Sequence, residues 1–136
     1  SFPTRRSSDL VPVGHALAKK KSISFEESLA FSHVGLPPST AVSTMLARVA
    51  AQAGKRLAFR SVVSNFDSAF RVVAAGLGVS IVPREVGQIY MTNQLVKTIP
   101  LKDGWAQRRF VICFRSHEEL TPASRSLIDF LTPKRR

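Results

Sequence analysis

The sequence predicts an α/β fold: a mostly parallel sheet with helices on both of its faces. Two observations predict it. Strand-like apolar runs alternate with runs of helical spacing, the order that builds parallel sheets through helical crossovers. Helix-start and helix-stop residues fall at the joints between those runs.

Residues 11–13 read as the end of a strand and 15–21 as a polar linker. Ser24 and Glu27 have the spacing of a capping box, so a short helix follows to residue 30. Residues 31–36 read as a strand, which Pro37-Pro38-Ser39-Thr40 stops before opening a helix. That helix runs to residue 53 with Val42, Met45, Leu46, Val49 and Ala53 on one face, and ends at Gly54. Residues 57–63 are the next strand. Ser64-Asn65-Phe66-Asp67 reads as a second capping box, with Ser64 capping a helix whose inward face is Phe66, Phe70, Val73 and Leu77. Gly76 and Gly78 end that helix. A buried strand over 79–82 closes at Pro83, and a helix over 84–90 and a strand over 95–101 follow. Asp103-Gly104 is a turn, and 109–115 a strand. Thr121 at N-cap and Pro122 at N1 begin the last helix, with Leu127, Ile128 and Leu131 facing inward.

With 136 residues, 44% of them apolar, the chain has the size and core content of one domain. No apolar run approaches the roughly 20 residues of a membrane helix. The single cysteine, Cys113, excludes an internal disulfide. It lies in the apolar run 110–114, where a buried thiol and a reducing compartment are expected. The net charge of +11 suggests a polyanionic partner. Its distribution weakens that suggestion: the basic clusters 19–21, 55–56, 108–109 and 134–136 are scattered over loops and ends. No helix carries a basic stripe, and no basic-aromatic alternation forms a single-strand binding surface. Most of the charge reads as solvated surface.

The first ten residues, SFPTRRSSDL, have no apolar core and form no signal peptide. The codons TCT TTC CCT ACA CGA CGC TCT TCC GAT CT encode them, and that string resembles the end of a common sequencing-library adapter. Residues 1–10 are therefore taken as a translated artefact and left out of the fold prediction. The biological sequence is expected to begin near Val11, within a gene, with its N-terminal part missing.

The search for chemistry finds no catalytic set. His15, His33 and His117 are far apart and in no metal-binding spacing, so no metal or cofactor is expected. The pairs Glu26-Glu27 and Glu118-Glu119 are adjacent and exposed, whereas catalytic carboxylates come from separate elements. Gly76-Leu77-Gly78 closes a helix rather than opening one, the reverse of a phosphate loop. Two joints hold more interest, Pro38-Ser39-Thr40 and Ser64-Asn65-Phe66, each where a strand gives way to a helix. Strand C-termini line the ligand crevice of an open α/β sheet, and helix N-termini offer free N–H groups to a carboxylate. Ser39, Thr40, Ser64, Asn65 and Phe66 are the candidate binding residues.

The run from Asn65 to Pro83, with its helix ending in Ala74-Ala75-Gly76-Leu77-Gly78 and its proline-closed strand, resembles the core segment of LysR-type transcriptional regulators. Pro12-Val13-Gly14-His15-Ala16-Leu17-Ala18 is similar to that family's proline-x-glycine-histidine-proline-leucine-alanine linker, with Ala16 in place of its second proline. Leu120-Thr121-Pro122-Ala123-Ser124-Arg125 is similar to its loop into the final helix. The resemblance covers 11–131. It implies a two-lobed effector domain with the type-2 periplasmic-binding-protein-like fold, a small carboxylate or aromatic acid bound between the lobes, and a tetramer that contacts DNA through an N-terminal winged helix-turn-helix. On this reading 24–101 is a complete second lobe, 11–23 the end of a first-lobe strand and a linker, and 102–136 the return to a partial first lobe.

Three functions follow. The first is the ligand-sensing domain of a cytoplasmic regulator, touching DNA only through the missing N-terminal domain. The second is a solute-binding protein of a transport system with the same fold. The third, an enzyme on a similar scaffold, lacks an acid, base or nucleophile set.

Overall fold

The computed structural model describes residues 5–109 and 111–132. Residues 1–4 of the decamer, Phe110 of the expected strand 109–115, and the basic cluster 134–136 lie outside them.

In chain order the elements are β1 (Arg5–Pro12), α1 (Phe25–Ser28), β2 (His33–Gly35), α2 (Ala41–Gln52), β3 (Phe59–Val62), α3 (Phe66–Ala74), β4 (Ser80–Pro83), α4 (Arg84–Ile89), β5 (Val96–Pro100), β6 (Gln107–Arg108) and α5 (Pro122–Leu131). Short 3-10 turns occupy Ala16–Lys19 and Gly104–Ala106. The Ser24 cap forms as predicted. Its Oγ accepts from Glu27 N at 3.2 Å, and Ser24 N donates to the Glu27 carboxylate at 2.7 Å.

β2 and β3 pair in parallel, and a parallel bridge between His33 and Val79 leads on to β4. β1 then lies between β4 and β5 and runs antiparallel to both. The mostly parallel sheet of the sequence prediction is therefore mixed. Helical crossovers make β2 to β5 point the same way, but β1 enters ahead of any crossover and is free to run in reverse. Both of its edges are paired through backbone groups. β1 runs unbroken from Arg5 through the decamer end at Leu10. It pairs with β4 and β5, which both lie within 24–101.

The period-2 alternation of β1 builds a core on each face of the sheet. Val11 joins Ile81, Ile99 and Leu101 under α1 and α2, where Phe25, Leu46 and Ala50 close the layer. Leu10, one residue away, joins Val82 and Val96 under α3 and α4, where Ala69 and Val73 are buried. Ala53 is exposed, as is Leu77, which lies beyond the end of α3, so neither joins the face assigned to it.

The C-terminal prediction fares differently. No strand forms among the described residues of 109–115. Only β6 pairs, with Arg5 and Arg6 at the start of β1. A strand without a neighbour has no ladder to hold it. Cys113 is accordingly exposed rather than buried. α5 starts at Thr121 as predicted, with Thr121 Oγ1 accepting from Ser124 N. Its intended inward face is open, however. Leu127 and Leu131 are exposed, Ile128 is half-buried, and Phe130 is 84% exposed.

Gly78 marks the tightest backbone approach beside β2. A Cβ there would stand 2.8 Å from the Ser32 carbonyl oxygen and 3.2 Å from Val34 Cγ2. Gly78→Ala should cost about 1–3 kcal/mol of stability. Gly14→Ala, with nothing within 4 Å, should change it by less than about 0.5 kcal/mol. Urea denaturation of both variants checks this, and equal midpoints would show that the chain yields at Gly78.

Candidate functional site

Parallel pairing brings the two predicted joints together. Gly35 pairs with Val62 at the C-terminal ends of β2 and β3, and Val63 N donates to Gly35 O at 2.8 Å. The chain leaves these neighbouring ends through residues 36–40 into α2 and through 63–65 into α3. Both helices thus start side by side at one edge of the sheet.

The loop into α2 is clamped by hydroxyls. Thr40 is the N-cap, its Oγ1 accepting from Ser43 N at 3.3 Å and donating to Pro37 O at 2.8 Å. Ser43 Oγ donates to Leu36 O at 2.8 Å, and Thr44 Oγ1 to Pro38 O at 3.3 Å. Three successive carbonyls are held by three hydroxyls of the first helical turn. Sequence reasoning missed Ser43 and Thr44, although their i+3 and i+4 spacing from Thr40 is the signal that could have found them. Ser39 is exposed and makes no described side-chain hydrogen bond. Ser43 N and Thr44 N are satisfied by Thr40, which leaves Ala41 and Val42 N–H without a described partner.

At the second joint the cap differs from the prediction. Asn65, not Ser64, is the N-cap of α3, its Oδ1 accepting from Ser68 N at 2.8 Å. Ser64 is exposed and accepts a 3.4 Å bond from Asn65 Nδ2. The expected reciprocal partner, Asp67, is drawn away: Arg71 donates to it at 3.1 Å and the Tyr90 hydroxyl at 3.2 Å. Desolvation and the Asp67 carboxylate both hold the Tyr90 hydroxyl above its ordinary value. Phe66 is half-buried and helps line a cavity of about 10 Å3 with Gly35, Ser43 and Phe59. That is space for about one water. The edge is therefore an open shelf, not an enclosed pocket. Its two ends differ in charge, since Asp67 sits in the first turn of α3 while α2 has no acid there. An incoming carboxylate is favoured at α2.

A buried chain of hydrogen bonds lies behind this shelf. Ser28 Oγ is 2.5 Å from Asp9 Oδ2 and 2.9 Å from His33 Nε2, and His33 Nδ1 faces the Phe31 carbonyl at 2.9 Å. A carbonyl only accepts, so Nδ1 carries hydrogen and Nε2 of the neutral ring is an acceptor. Ser28 has one proton for two neighbours: it donates to Asp9 Oδ2 when the carboxyl is ionised, and to His33 Nε2 when Asp9 is protonated and itself donates to the serine. Electrostatics set the balance. Burial, partly offset by the Ser28 bond, pushes the Asp9 carboxyl up to about 7. Burial, partly offset by the Phe31 carbonyl, pushes the His33 ring down to about 4. Asp9 Oδ1 has no partner, a vacancy that costs less for an acid than for an anion. The serine sits between acid and imidazole and is wholly buried, so the trio cannot act as a nucleophilic triad.

The other histidines stay apart. His15 Nδ1 accepts from Leu17 N, and partial burial lowers the ring's pKa, while His117 lies in an exposed turn. Among the described residues no group of three or more His, Cys, Asp or Glu could hold a metal. No helix among them is long and apolar enough to cross a membrane.

Comparison with known proteins follows the same lines. The model of one protein family, described as LysR substrate binding domain, matches residues 9–136. No curated protein sequence matches the chain. Among solved structures it resembles the BenM effector binding domain with its effector benzoate, at 22% identity and a TM-score of 0.65, over 77% of this chain and 48% of that one. It resembles HinK, a LysR family transcriptional regulator from Pseudomonas aeruginosa, at 15% identity and 0.72, over 96% of this chain and 45% of that one. The effector binding domain of QuiR in complex with shikimate matches at 18% identity and 0.70, over 96% and 61%. The chain thus spans about half the length of these structures, and its fold is the type-2 periplasmic-binding-protein-like one.

Asp9 and His33 should compensate in pH titration. A raised folded pKa gives Asp9 a contribution present below 3.8 and lost as pH rises through about 7. A lowered one gives His33 a contribution present above 6.5 and lost as pH falls through about 4. Between about pH 4 and 6.5 both states hold one proton, on Asp9 when folded and on His33 when unfolded, so stability should be flat. His33→Gln should make stability fall with rising pH, and Asp9→Asn should make it fall with decreasing pH, each by up to about 1.4 kcal/mol per pH unit. Urea unfolding across that range reads both slopes, and slopes of one sign would exclude the neutral chain.

Proposed function

This chain belongs to the LysR substrate binding domain family, and on that footing we propose that it senses a small carboxylate-bearing effector for a DNA-binding transcription regulator. The observation that carries the proposal is the pair of helix starts side by side at the C-terminal ends of β2 and β3, with open N–H groups at Ala41 and Val42. Ser39 and Ser64 have hydroxyls to spare for a ligand. Thr40 and Asn65 hold the helix ends in place, and Phe66 supplies an apolar contact.

The shelf has one wall in this chain. In this reading 24–101 is the second lobe, and a first lobe closes over the effector from the other side. Benzoate and shikimate in the related domains support a small acid as the class of ligand. DNA contact and assembly into a tetramer belong to the whole regulator, in the cytoplasm, through an N-terminal domain. No cofactor or metal takes part. Catalysis has no support, because the one Asp-Ser-His arrangement among the described residues is buried in the wrong order. Family membership likewise favours regulation over solute transport.

In the whole regulator, Ser39→Ala should weaken binding of a benzoate- or shikimate-like acid by on the order of 1.5–3 kcal/mol while leaving Tm unchanged. Thr40→Val should lose affinity and also about 1 kcal/mol of stability, since it removes a cap. Calorimetric titration beside thermal melts separates the two, and unchanged affinity in both variants would remove the site. The present chain should bind duplex DNA only weakly, without sequence preference, and less as salt rises. Sequence-selective binding in a filter assay would overturn the assignment of DNA contact to another domain.

A further inference from the structure

The basic residues look scattered along the sequence, but the fold gathers five lysines on one patch. The chain between the 3-10 turn at Ala16–Lys19 and α1 is tied to the end of β5. Ile23 N donates to Pro100 O at 3.1 Å, and Lys102 N donates to Ile23 O at 2.9 Å. Lys97 reaches over from β5, and its Nζ donates to Ala18 O at 2.6 Å, across 79 positions of sequence. Lys20 Nζ meets Glu27 Oε1 at 2.5 Å, and Lys102 Nζ stands 3.8 Å from the other oxygen of the same carboxylate. Lys19, Lys20, Lys21, Lys97 and Lys102 are all exposed.

The negative charge at hand does not match them. Glu27 is shared by two lysines. The Lys20 ammonium and then the Ser24 amide hold its carboxyl down at about 2, so it is ionised and already engaged. Glu26 is taken by Lys55 at 2.8 Å. Asp103, next to Lys102, accepts from Phe25 N at 2.7 Å. Lys19, Lys21 and Lys97 have no carboxylate partner among the described residues. Like charges held this close repel, and an incoming polyanion relieves that repulsion. Ammonium groups are point charges, suited to phosphates rather than to base edges. Trp105, in the turn after Asp103, is half-buried with its ring against Phe25, centroids 5.2 Å apart, so it offers no stacking platform for bases. These features favour the backbone of a duplex over a single strand.

We propose that this lysine patch is a sequence-blind contact for the phosphate backbone of duplex DNA. It holds the effector domain against DNA beside the site that another domain reads, and releases counterions as it does so. The choice of DNA as the polyanion rests on the reading of this chain as part of a DNA-binding regulator. The patch shares no residue with the effector shelf, so either assignment can fail without the other.

The test uses the chain as it stands. A short mixed-sequence duplex is titrated by fluorescence anisotropy at salt from about 50 to 200 mM. Lys19→Gln, Lys21→Gln and Lys97→Gln are combined, while Lys20 and Lys102 stay so that Glu27 keeps its partners. This variant should bind the duplex roughly tenfold more weakly at the low-salt end, and its slope of log affinity against log salt should shrink by about 2–3. Arg48→Gln, Arg56→Gln and Arg60→Gln together remove the same charge from exposed positions elsewhere and should change both far less. Thermal melts of both variants should match the parent chain. Equal loss from the two triple variants would mean general attraction to a basic chain and would overturn the patch. So would tighter binding of polyglutamate than of duplex at the same salt, which would make the partner an acidic protein. Failure of an acid to bind at Ser39 would remove the effector reading and leave these slopes as they are.

Discussion

One reversed strand sets the terms for the rest of this chain. β1 is hydrogen-bonded on both edges, to β4 and to β5, and both cores take side chains from it at adjacent positions. Leu10 and Val11 are fully buried on opposite faces. A one-residue slip of this strand would exchange them and turn Asp9, now closed against Ser28, toward the other layer. Register in β1 is thus tied to the apolar packing of both layers and to the one buried acid.

The crevice shows how closely capping and recognition share the same atoms. Thr40 spends its hydroxyl on its own helix and loop, as do Ser43 and Thr44, and this is why residues 36–40 hold a defined path. Rigidity there leaves the neighbouring N–H groups pointing out with little entropy to lose on binding. Asp67 supplies contrast along the same edge. Its charge near the start of α3 makes that end less welcoming to an acid and gives the shelf a polarity from one helix to the other.

Much of this was legible in the sequence because it is local. The Ser24 and Thr121 caps, the stop at Gly54 and the strand closed by Pro83 depend on residues within a few positions of each other, and the structure keeps them. The two joints that define the shelf were found the same way. What escaped depends on distant partners. The direction of β1 is decided by β4 and β5, more than 60 residues away. The Asp9–Ser28–His33 chain joins three elements, so His33 read as a lone strand residue. Ser64 lost the cap to Asn65 because Asp67 found Arg71 and Tyr90 instead. The strand over 109–115 had the right composition and no neighbour, and composition alone does not make a ladder.

The C-terminal stretch carries its own consequence. No core residue of either layer lies beyond Ala106, and the described hydrogen bonds of residues 111–132 all close within that stretch. Cooperativity in a folded chain comes from shared burial and shared bonds, and here the two parts share little of either. A sheet unit ends near Arg108, and no described hydrogen bond ties the stretch 111–132 to it. Any conformational signal that starts at α5 must gain a new packing partner before it can reach the sheet.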